Sequence, residues 1–125
     1  MAIESDPLAV HVIGCMIDVH KALGPGLLES AYAECLAYEF LNKGIEMRRQ
    51  VPLPVKYKNV HIECGFRVDF LVEDRLVLEL KSVERLLPVH HAQVLTYLKL
   101  LRCHRGLLVN FNVTLLKDGL KSIVL

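Results

Sequence analysis

The stretch from residue 66 to residue 81 holds two short runs, Phe66-Arg-Val-Asp-Phe-Leu-Val and Leu76-Val-Leu-Glu-Leu-Lys81, separated by Glu73-Asp74-Arg75. Side chains alternate faces along a strand, so a hairpin built from these runs puts Val68, Phe70 and Val72 on one face with Leu76, Leu78 and Leu80. The opposite face holds Asp69, Glu79 and Lys81. A three-residue loop pairs Val72 with Leu76, and that register sets Asp69 directly across from Glu79. Two facing carboxylates repel, so the arrangement calls for positive charge between them, and a divalent metal beside Lys81 fits best. The alternative is a solvated face of an amphipathic hairpin with a cross-strand ion pair.

The flanking segments read as support for this hairpin. Asp6-Pro7 is a helix-start signature, and a helix running to about residue 22 would bury Val12, Met16, Val19 and Leu23 before Gly24-Pro25-Gly26 ends it. His20, beside that stripe, reads as a helix-end histidine rather than a catalytic base. A second helix from about residue 27 to Gly44 buries Tyr32, Ala33, Leu36 and Phe40. Glu29, seven residues before Leu36, falls on the same face, where a carboxylate needs a cation or donors unless it escapes to solvent in the first turn.

Pro52 and Pro54 confine the β-like segment 50–57 to a sheet edge, and Lys58-Asn59 suits a turn. Pro88 opens a third helix to about residue 102, with Val94, Leu95, Leu98 and Leu101 facing the core and His90, Gln93 and Tyr97 forming a polar stripe. The run Arg105-Gly-Leu-Leu-Val-Asn-Phe111 is largely apolar, as in a strand buried on both faces; after a helix it completes a right-handed β-α-β crossover. Lys117-Asp118-Gly119 reads as a turn and residues 121–125 as a last strand.

A length of 125 residues gives one domain, residues 1–125, with a substantial core. Hydrophobic residues make up 53% and mean hydropathy is +0.36, yet no apolar run reaches the ~18 residues of a membrane span. That excess predicts a homodimer, with the exposed side of the first helix and residues 122–125 as contributors. The N-terminal sequence has no signal-peptide pattern, which points to the cytoplasm. The four cysteines stand singly without a CxxC pair and read as reduced thiols; His61, Cys64, Cys103 and His104 lack the spacing of a structural zinc site. With 15 Lys+Arg against 14 Asp+Glu the net charge is +1, so any nucleic-acid surface must come from local clustering.

Helix, hairpin bearing D…ExK, crossover helix and strand, in that order, resemble the PD-(D/E)XK nuclease superfamily. Gly26-Leu-Leu-Glu29-Ser-Ala-Tyr32 is similar to the signature of the GxxExxY protein family within it. Further blocks with this likeness are Gln50-x-Pro-x-Pro-Val, Glu79-Leu-Lys81, Gln93-x-x-x-Tyr97 and the run 106–111. The superfamily proline before the aspartate is replaced by Val68.

The resemblance implies an α/β fold, a PD-(D/E)XK nuclease-like core with a central mixed four- to five-stranded sheet flanked by helices on both sides. It implies that Asp69, Glu79 and Lys81 are catalytic, that Asp69 and Glu79 hold Mg²⁺ (Mn²⁺ as a substitute), that Glu29 reaches the metal, and that Gln93 lines the site. The implied activity is hydrolysis of phosphodiester bonds, with DNA ahead of RNA. The alternative is a non-catalytic nucleic-acid-binding or protein-interaction subunit on the same fold.

Overall fold

The computed structural model describes residues 2–63 and 65–125. Its frame is a five-stranded sheet in the order β1-β4-β5-β6-β7, built from Met47–Pro52 (β1), Arg67–Val72 (β4), Leu76–Lys81 (β5), Arg105–Asn110 (β6) and Leu120–Val124 (β7). Neighbouring strands are antiparallel except β5 and β6, which run parallel and are joined by the helix Pro88–Leu101 (α3). The expected mixed sheet and crossover are both present. Val55–Tyr57 (β2) and Val60–Ile62 (β3) form a separate two-stranded arm between β1 and β4, turned through Lys58 and Asn59, both at positive φ.

The helices Pro7–Leu23 (α1) and Glu29–Asn42 (α2) cover one sheet face. Their buried Met16, Tyr32, Leu36 and Phe40 share a core with Phe70, Leu78, Leu80 and Val109. On the other face Val94 and Leu98 of α3 pack with Val77 and Leu108. A Cβ at Gly106 would stand 2.8 Å from Val94 Cγ1, so the missing side chain sets how closely α3 lies on β6. Every residue of β6 is buried, as its apolar run predicts.

The cap at Asp6 is as expected, its side chain accepting a hydrogen bond from Ala9 N. Leu23 departs from its helical stripe and is exposed, while Ala9 and Cys15 complete the buried face of α1. His20 is not at rest on its own helix end. Its ring is buried, and Nε2 lies 2.8 Å from Val113 O, tying α1 to the segment after β6. Cys15, Cys35 and Cys103 are free thiols; Cys64 lies outside the described residues.

Candidate active site

Glu73 and Asp74 both take positive φ, and Arg75 N bonds Val72 O, closing the hairpin between β4 and β5. The register is the expected one, with Val72 opposite Leu76 and Phe70 opposite Leu78. Beyond Phe70 and Leu78 the strands separate, and side-chain carboxylates take over the hydrogen bonds of the ladder. Asp69 N donates to Glu79 Oε1 at 3.0 Å, and Leu80 N donates to Asp69 Oδ2 at 2.8 Å. The two acids therefore meet in the fork between two strands, not side by side on a flat face.

The neighbouring strand explains the fork. β1 pairs Arg49 with Phe70 and Val51 with Val68 but skips Gln50 and Asp69 between them, because Gln50 sits at φ 52°. A left-handed residue inside a strand breaks the side-chain alternation. Across from Gln50 the alternation of β4 breaks as well: Val68 leaves the face of Phe70 and Val72 and packs with Val51, Leu71 and Val77 on the α3 side, against the simple period-two expectation. The Gln50 side chain lies close enough to the Asp69 carboxylate to lower its proton affinity, the smallest of the influences on that acid. Sequence reasoning missed Gln50 as a site residue, since its place opposite Asp69 exists only once β1 is paired with β4.

Glu29 is the first residue of α2 and is exposed, so its carboxylate is not buried along the Leu36 face. It turns to the end of β5 instead, where Oε1 accepts from Ser82 N at 3.3 Å. The loop before it is held by Tyr32, whose hydroxyl donates to Gly24 O at 2.6 Å and accepts from Leu27 N at 3.2 Å. Ser82 Oγ donates to Leu27 O from the other side. Tyr32 itself is buried and stacked on Phe111 at 4.4 Å. The Gly26, Glu29 and Tyr32 spacing thus acts as a loop clamp that presents a carboxylate.

Lys81 closes β5, half-buried, opposite Asn110 of β6. The Asn110 side chain accepts from Val83 N and donates to Val83 O, fixing the chain as it leaves the site. Gln93 lies apart from this group. It is half-buried on α3 and lines a groove with Leu53 and Phe66, and among the described residues no hydrogen bond joins it to Asp69, Glu79 or Lys81. His90 caps its own helix, Nδ1 accepting from Leu87 N.

Burial dominates the electrostatics. Desolvation and the charge of Asp69 push the Glu79 carboxyl up to about 8, with Lys81 offsetting part of the shift. Desolvation likewise raises Asp69, opposed by the Leu80 N–H, and the charge of Glu29 adds to the rise. A residue match covers nearly the whole of this architecture: the family model described as the PD-(D/E)XK nuclease superfamily spans residues 6–123. The chain belongs to the PD-(D/E)XK nuclease superfamily. Neither a curated protein nor a solved structure matches it.

Nucleases of the PD-(D/E)XK superfamily generally use divalent metal ions. As they stand, no three His, Cys, Asp or Glu side chains among the described residues are grouped closely enough to hold one. One oxygen each of Asp69, Glu79 and Glu29 is engaged by a backbone N–H. The donor chemistry nonetheless fits: hard carboxylate oxygens converge on one fork, and the nearby ammonium leaves Glu79 with a raised proton affinity that a divalent cation would relieve.

Proposed function

We propose that this protein is a metal-dependent nuclease that hydrolyses phosphodiester bonds in nucleic acid, using Mg²⁺ or Mn²⁺ and acting on DNA ahead of RNA. The observation that carries the reading is the fork in which Asp69 and Glu79 share a partly desolvated space with Lys81 at its mouth. Asp69 and Glu79 would hold the ion, with Glu29 as a third, more solvated donor. A bound divalent ion supplies Lewis-acid stabilisation of the charge that develops on the phosphoryl oxygens.

The protein groups do the rest. Gln50 orients the Asp69 carboxylate through its amide. The Lys81 ammonium offers three donors to a non-bridging phosphate oxygen and to the attacking water, holding the two in line and opposing the negative charge that grows between them. Water adds to phosphorus and releases one proton to solvent, one P–O ester bond breaks, and the leaving oxygen takes a proton from solvent. Gln93 enters as a groove residue rather than a member of this set.

Lys81→Ala should abolish Mg²⁺- or Mn²⁺-dependent nicking of plasmid DNA while leaving the melting temperature within a few degrees. Equal activity in wild type and mutant would assign the cleavage to a contaminant and leave binding without catalysis as the function.

The same reading places the protein in the cytoplasm as a homodimer. No helix among the described residues is long and apolar enough to cross a membrane. Val10 and Ile17 on α1, and Val124 and Leu125 at the C-terminus, are exposed apolar side chains on the two surfaces proposed to associate. Light scattering at micromolar concentration should return twice the chain mass; a monomer mass removes the dimer.

A further inference from the structure

Helix α3 and the base of the β2–β3 arm line a groove with a cavity volume of about 410 Å³. Its walls include Leu53, Phe66, Val89 and Tyr97, and its polar groups include the side chains of Gln93 and Thr96. The Thr96 hydroxyl already donates to Ala92 O, which leaves the Gln93 amide as the adaptable hydrogen-bonding group. An apolar, aromatic slot with one amide has the chemistry of a site for a flat, partly polar ring. Phe66 is 53% exposed, so one side of that slot is open to an incoming ring.

The arm above the groove has two unlike faces. Val55, Tyr57, Val60 and Ile62 share one, and Lys56 stands opposite His61 on the other. Tyr57 is 60% exposed, with Lys58 Nζ 5.3 Å from its ring centroid. Over residues 53–67 the chain carries Lys56, Lys58 and Arg67 against the single acid Glu63, so the rest of the chain has no positive excess at all. The arm and the strand leading from it to Asp69 therefore carry a local excess of positive charge. Phe66 precedes Asp69 by three residues, about 10 Å of extended chain, or about three nucleotide steps at the ~3.4 Å rise of a stacked strand.

We propose that this groove seats an unpaired base of a single-stranded or frayed nucleic acid, whose phosphates run along Lys58 and Arg67 into the Asp69–Glu79–Lys81 fork. The inference rests on the nuclease reading and narrows its substrate class. Stacking on Phe66 tolerates any base because every base has a π-face, while a base held in a duplex cannot enter the slot without first unpairing. A second copy of the chain is disfavoured as the occupant, because a two-fold contact through this face would bring Lys58 and Arg67 of both copies together.

The test is fluorescence anisotropy in EDTA, which separates binding from metal-dependent cleavage, with a labelled single-stranded DNA, the matched duplex, and a single strand carrying an abasic tract. The intact single strand should bind more tightly than either comparison. Phe66→Ala should weaken it by at least about five-fold, the lower end of a stacked base's contribution, and leave the abasic strand unchanged. Ala92→Trp, at an exposed helix position on the groove wall, should do the same by filling the slot, which guards against a folding defect in the first variant.

The proposal falls if both variants bind the intact strand as wild type does, or if the abasic strand binds equally well. It falls equally if Phe66→Ala converts a dimer to a monomer with strand binding untouched, since a second copy then fills the groove. Cleavage that depends on Lys81 but ignores Phe66→Ala would overturn the groove and spare the nuclease reading. Groove-dependent strand binding without any cleavage would do the reverse.

Discussion

At the scale of single residues the decisive fact is that Glu79 is only 6% exposed and faces another acid. Its folded value of about 8 lies above the ordinary 4.5, so between those two values the folded chain keeps a proton that the unfolded chain has lost. Stability from this group is full below about 4.5 and is lost as pH rises through 8, at about 1.4 kcal/mol per unit of separation. Asp69, raised in the same direction, adds to the same fall. Glu79→Gln mimics the protonated acid and keeps an oxygen for Asp69 N. In EDTA the mutant and wild type should melt alike near pH 5, and the mutant should melt higher near pH 9. A mutant that melts lower throughout would make Glu79 an ordinary ion-pair partner of Lys81. That Asp69 and Glu79 come together was legible from alternation and loop length, but not that the ladder ends at Phe70 and Leu78 and the two acids meet through backbone N–H groups. Gln50 was not, because a left-handed glutamine leaves no mark in a sequence, and its cost of roughly 1–3 kcal/mol is borne by the folded sheet.

Elements were legible where a local signal stands close to its cause. Asp6-Pro7 marks the start of α1, paired prolines mark an edge strand, and a largely apolar run marks β6. What the sequence obscured is where elements touch. The helical period assigns Glu29 to the face of Leu36, but a period says nothing of a residue at the first position of α2, whose side chain leaves past the end of the helix toward Ser82. The segment 50–57, expected as one edge strand, divides after Pro52: β1 ends there at the edge of the main sheet, and Val55–Tyr57 pairs instead with Val60–Ile62 in the arm. The clamp by Tyr32 carries a test of its own. Tyr32→Phe keeps the stack on Phe111 but strips both hydrogen bonds from the Gly24–Leu27 turn, and should cost about 1–2 kcal/mol in urea unfolding. Activity should fall further than that stability loss explains, because Glu29 is no longer held at the fork. Unchanged unfolding would show that the loop stands without the hydroxyl.

For the whole molecule, the acidic fork is a point of stored repulsion in an otherwise well-packed domain, and its relief should register in global stability without any knowledge of substrate. Lys81 offsets part of the charge of Asp69 and Glu79 but leaves Glu79 with its proton affinity raised. An ion that binds the folded state alone shifts unfolding by mass action. At a hundred times its dissociation constant the gain is about 2.7 kcal/mol, enough for a rise of several degrees in melting temperature for a chain of this size. Thermal melts in EDTA and across Mg²⁺ and Mn²⁺ titrations should therefore show a saturating rise, with Ca²⁺ as an oxygen-seeking comparison. Asp69→Asn and Glu79→Gln should each lose most of that rise, whereas Glu29→Gln, altering an exposed donor at the rim, should lose less. The ordering matters more than the size of any one shift, because a nonspecific effect of divalent salt would move all four proteins together. Wild type melting identically in every condition would remove the metal from the fork, and with it the catalytic roles of Asp69 and Glu79.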